Sequence, residues 1–161
     1  MQNLKINGIV LALLSVTAVQ ALDSDRQQKV IVQGPGCVTK LKQNETDCPK
    51  GLTIEQGSLL IKSAAGTIYH KDKGIDRVLM SGNQVYMEQM MEDNEKMVIR
   101  ANQVDYRKAS EKVFLSGNVS ITSAIGVTTG ENIEFDLRTQ EITSTGDANT
   151  QFKMEIDQNN D

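Results

Sequence analysis

Tryptophan is absent from this chain, and phenylalanine and tyrosine occur three times each. Any core must therefore be aliphatic, drawn from valine, isoleucine, leucine and the seven methionines. Histidine occurs once, at His70. A Ser-His-Asp triad would have to use it, and no second histidine is present to share a metal ion. His70 stands beside Lys71 at an expected hairpin tip, where it reads as solvated. Gly-x-Ser-x-Gly and phosphate-loop motifs are missing too. The expectation is no enzyme, no cofactor and no metal. An excess of positive charge is also lacking: the formal net charge is −4. That argues against a nucleic-acid partner, which wants a basic face. The acidic pair Glu92 and Asp93 sits in a polar turn and needs no role beyond solubility.

Long apolar runs are confined to the start. Lys5 supplies a positive region, Gly8 to Val19 is apolar apart from Ser15 and Thr17, and Val19-Gln20-Ala21 fits a small-residue cleavage site. The run of about 12 residues falls short of the roughly 20 that span a bilayer. Residues 1–21 are expected to be a cleavable export signal. Removing them takes the net charge to −5 and leaves one domain, 22–156, with a short polar tail, 157–161. Cysteine is nearly absent as well, with only Cys37 and Cys48. In an exported chain such a pair predicts a disulfide, closing a loop of 12 residues worth roughly 2–3 kcal/mol.

What is abundant is repetition. Ala101-Asn-Gln-Val-Asp-Tyr106 leads to Val113-Phe-Leu-Ser-Gly-Asn118, and Gly130-Glu-Asn-Ile-Glu-Phe135 leads to Ile142-Thr-Ser-Thr-Gly-Asp147. The span is 16 residues from Ala101 to Gly117 and again from Gly130 to Gly146. A fainter copy runs from Ala65 to Asn83. Such periodicity marks a stack of equivalent units. From Leu52 onward the hydrophobic period is two, as in strands with one buried and one wet face. Gly82-Asn83, Gly117-Asn118 and Gly146-Asp147 read as turns between strands of 5 to 7 residues. Glu88 to Lys96 reads as a long turn with two exposed methionines, Met90 and Met91. Hairpins with one apolar stripe each must stack to bury it. The expected fold is all-β, an antiparallel β-jelly roll of stacked short hairpins, open at both ends.

These motifs are similar to those of the OstA-like family of periplasmic lipopolysaccharide-transport proteins. The resemblance rests on Thr53-Ile-Glu-Gln-Gly-Ser-Leu-Leu-Ile61, Ala101 to Tyr106, Val113 to Val119 and Gly130 to Phe135, in that order and spacing. It covers most of residues 51 to 147. It implies a periplasmic carrier whose apolar interior holds the acyl chains of lipopolysaccharide. It implies partners as well: related jelly rolls at the inner and outer membranes, and head-to-tail association with further copies. Carried over by motif, Tyr106, Met87, Val30 and Val32 face the lipid. Alternation adds Val85, Val104, Val119, Ile121, Ile133 and Phe135 as interior residues, each of which also serves plain core packing. Arg77, Arg100, Lys108 and Lys112 are candidates by position for the lipid's phosphates. The segment Gly34 to Gly51 departs from the family pattern, with a cysteine-bearing loop where a clean hairpin is usual. Two other readings stand beside this one: a structural β-repeat or filament subunit without ligand, and the membrane-anchored component of the same export pathway.

Overall fold

The alternation resolves into twelve strands among the described residues of a computed structural model, which are 24–25, 27–91, 94–147 and 151–156. The expected export signal, the polar tail and the Glu92–Asp93 pair lie outside them. The strands are β1 (Ile31–Gln33), β2 (Val38–Lys40), β3 (Glu45–Cys48), β4 (Leu52–Gln56), β5 (Leu59–Ser63) and β6 (Ala65–Lys71). They continue with β7 (Gly74–Met90), β8 (Lys96–Arg107), β9 (Lys112–Ser123), β10 (Gly126–Asp136), β11 (Ile142–Ser144) and β12 (Lys153–Glu155). Every pairing is antiparallel.

Four of these strands are long and broken in register. The breaks fall between Ser81 and Val85, between Arg100 and Gln103, and between Gly130 and Asn132 opposite Ser116 to Val119. Each break divides a strand between two facing sheets. One sheet runs β2, β3, β6, then the first half of β7, the second half of β8, the first half of β9, the second half of β10, and β11. The other runs β1, β4, β5, the complementary halves of β7 to β10, and β12. The breaks line up as a covalent spine joining the sheets. The hairpin tips lie on the opposite side, so the cross-section is a V. This is the expected jelly roll.

The Gly-Asn dipeptides are not the turns that the sequence suggests. Gly117 and Asn118 lie inside β9, with φ of 76° and 48°. Gly82 and Asn83 lie inside β7. The left-handed conformation that closes a hairpin also makes a bulge, and at Gly117-Asn118 it bends β9 from one sheet into the other. The repeat unit is therefore one long bent strand and its return. Glu88 to Lys96 is likewise shorter as a turn than expected. β7 continues to Met90, and Met91 packs half-buried against the core rather than standing exposed.

Candidate functional site

The registers align side chains into continuous ladders on the inward faces. Across the second sheet runs Val32, Ile54, Ile61, Met87, Ile99, Ile121, Thr128 and Met154. Across the first runs Thr46, Ile68, Val78, Tyr106, Val113, Phe135 and Ile142, with Cys48, Met80, Val104, Leu115 and Ile133 one step nearer the spine. Leu52 brings the two sheets together. A Cβ on Gly66 of the facing sheet would meet its Cδ2 at 2.4 Å. The result is one apolar seam along the whole roll.

Of the ten residues expected inside, Val85, Met87, Val104, Val119, Ile121, Ile133 and Phe135 are buried in this seam. Tyr106 is half-buried and packs against the same cluster. Val30 and Val32 differ, being 41% and 38% exposed. Val32 does sit on the inward face, opposite Ile54. β1 is an edge strand at the end of the roll, so it lacks the neighbour that would cover it. The other expected feature of that end holds: Cys37 and Cys48 form a disulfide.

His70 is not solvated as expected. Its Nε2 lies 2.8 Å from Oγ1 of buried Thr46, which is 3.1 Å from Oγ1 of Thr39. This polar chain ties β2, β3 and β6 at the N-terminal end of a largely apolar interior. Of the four candidate phosphate-binding cations, three are engaged on outer faces. Arg77 donates to both carboxylate oxygens of Asp105, at 2.7 and 2.9 Å. Lys112 pairs with Glu134, and Arg100 stacks over the Tyr86 ring at 5.1 Å. Partial burial pushes the Asp105 carboxyl up, but hydrogen bonds from Arg77 and Arg107 outweigh it and hold the group below the usual range. The backbone N–H of Lys108 donates to the carbonyl of Asp76 across the hairpin tips.

Two hollows among the described residues bear on where an alkyl chain could sit. One lies inside the seam on the side away from the spine, between Leu59, Met87, Gln89, Met97 and Ile99 of one sheet and Leu137 of the other. It measures about 10 Å³, room for a single water at most. The other is a trench of about 620 Å³ on the outer face of the first sheet. Its walls carry Thr67, Ser81, Gln103, Asp105 and Asn132 beside Leu79 and Phe114. An alkyl chain there would cover polar groups that prefer water. No cluster of metal ligands occurs among the described residues, and no described helix is long and apolar enough to cross a membrane.

The roll is V-shaped in section, with two bent sheets around an aliphatic seam. The family described as LptA/(LptD N-terminal domain) LPS transport protein matches residues 42–141, more than half of the chain, and the chain belongs to it. The fold is similar to the crystal structure of LptH from Pseudomonas aeruginosa, the LptA-homologous periplasmic component of the lipopolysaccharide transport device. The two share 21% identity at a TM-score of 0.75, over 84% of this chain and 99% of that one. No curated protein sequence matches the chain.

Proposed function

We propose that this protein is a periplasmic carrier that shelters the acyl chains of lipopolysaccharide between its two sheets as the lipid moves from inner to outer membrane. The observation that carries the reading is the continuous aliphatic ladder from Val32 to Ile121, faced by Ile68, Val78, Tyr106, Val113 and Phe135. It extends through the roll and ends uncovered at Val32. A chain of about ten methylenes gains roughly 8 kcal/mol on leaving water, ample for transient sheltering. Export by the residue 1–21 signal belongs to this proposal.

The ends support association with further rolls. Among the described residues, eight of the nine exposed large hydrophobics lie at the two ends: Val30, Ile31, Val32, Val38 and Leu41 at one, Ile125, Phe152 and Ile156 at the other. Edge strands β1 and β2, and β11 and β12, offer unpaired backbone beside them. A second copy, or a related jelly roll at either membrane, fits such an edge by continuing both sheets.

The closed seam favours one rival, a structural β-repeat without ligand. Titrating purified protein with lipopolysaccharide separates the two. Saturable binding that protects interior residues such as Val104 and Ile121 from a membrane-soluble label supports the carrier. Absence of binding at micromolar lipid leaves only the structural role.

A further inference from the structure

The interior has almost no free volume, so a cargo must open it, and the covalent connectivity dictates where. β7, β8, β9 and β10 each pass from one sheet to the other at the spine. Parting the sheets there would require breaking four strands. On the opposite side no strand pairing joins the sheets among the described residues, and side chains near the hairpin tips meet across the gap. Leu59, Gln89 and Met97 approach from one sheet, and Leu137 is the residue of the other that closes over them. Leu59 and Leu137 are half-buried and pack against the core.

Leu137 sits on a small self-contained turn. The Asp136 side-chain Oδ1 accepts from the backbone N–H groups of Arg138 and Thr139, both at 2.9 Å. The Gln140 N–H donates to the Asp136 carbonyl at 2.8 Å, and the Asp136 N–H to the Glu141 carbonyl at 2.9 Å. The turn thus keeps its shape by its own bonds. Its tie to the next hairpin is the Leu137 N–H donating to the Glu111 carbonyl at 2.9 Å. Behind it comes β11, only three residues long. A compact turn backed by a three-residue edge strand can lift without unravelling the roll.

We propose that acyl chains enter sideways, through a portal lipped by Leu59 and Met97 on one sheet and plugged by Leu137 on the other. The turn 136–141 lifts to admit a linear saturated chain, and Leu137 returns to the hollow when the chain leaves. The cargo slides into register with the Met87–Ile99–Ile121 ladder just behind the hollow. The polar head stays outside, at the rim where Glu88 and Gln89 join the otherwise apolar lining. This inference rests on the carrier reading above.

The test uses a Leu59→Cys/Leu137→Cys variant of the full mature chain, bridged by a short bifunctional thiol reagent, with the native disulfide verified by mass. Lipopolysaccharide binding is compared for the bridged, unbridged and wild-type proteins. The bridge is expected to weaken binding roughly tenfold or more relative to the same variant unbridged, by depleting the open state. Bridged protein that binds as well as unbridged protein would overturn the portal and point to the ends of the roll. Loss of binding in all three proteins would instead remove the carrier reading itself, and the portal with it. A second variant, Leu137→Ala, should associate several-fold faster than wild type, within the range over which on-rates vary. A merely structural Leu137 would lower thermal stability and leave that rate unchanged.

Discussion

Removing the disulfide should loosen one end of the roll and leave the rest intact. Cys37 and Cys48 are separated by 11 positions, so the bridge closes a short loop. The loop-entropy relation assigns it roughly 3 kcal/mol. In a domain of this size that corresponds to a fall in Tm of about 10 °C. The location matters as much as the magnitude. Cys37 lies between Gly34–Gly36, which carries the chain out of β1, and β2, whose residues are all exposed. Two segments cross between the sheets here, 34–37 and 49–51. Gly34 packs so closely on Gly51 that a Cβ would come within 2.2 Å of the Gly51 carbonyl oxygen. β1 and β2 each hold their neighbour by only three residue pairs. Without the bridge, β2 has little else to keep it on β3. A Cys37→Ser/Cys48→Ala variant should therefore melt about 10 °C lower. By hydrogen exchange, amides of β1 to β3 should lose protection while those of β8 to β10 keep theirs. A shift below about 2 °C, or loss of protection spread evenly over all strands, would refute the reasoning.

Three further outcomes follow from the same structure. Val104→Asp puts an unpaired carboxylate into a fully covered position and should cost several kcal/mol, read as a lowered denaturant midpoint or as insoluble protein. Leu41 is 82% exposed at one end and Phe152 44% at the other. Leu41→Glu and Phe152→Glu should each leave the monomer's melting temperature unchanged and reduce concentration-dependent association in sedimentation velocity. Asp105 and Asp136 are held below the usual carboxylate range, Asp136 chiefly by hydrogen bonds from Thr139. Depressed carboxyls stabilise the fold above their unfolded pKa and lose that contribution as pH falls through the folded one. A pH titration of Tm should thus be flat near neutrality and decline below about pH 4, with Asp136→Asn reducing the decline.

Much of the seam was legible in the sequence because a strand's period is local. Alternation placed Val85, Val104, Val119, Ile121, Ile133 and Phe135 inward, and all are covered. What alternation cannot supply is the neighbour on the next strand or the facing sheet. Val32 has inward parity yet lies at an edge, so it is exposed. Leu137 follows Phe135 by two and continues its parity, but the turn chemistry of Asp136 to Gln140 hid it as a loop residue. Gly117-Asn118 has the same local backbone in a hairpin turn as in a bulge, and only the register of β8 and β10 on either side distinguishes them. The Thr39–Thr46–His70 chain joins residues from three strands, and nothing in the spacing of His70 announces it.

The central claim is that lipid travels between the sheets. The most direct measurement places a photo-crosslinking amino acid at Tyr106, inside the seam, and at Ser110, on the exposed β8–β9 tip, in cells producing the protein. Lipopolysaccharide captured at Tyr106 and not at Ser110 is the predicted result. Folded, exported protein that captures none at Tyr106 would contradict the account and leave the seam as packing alone.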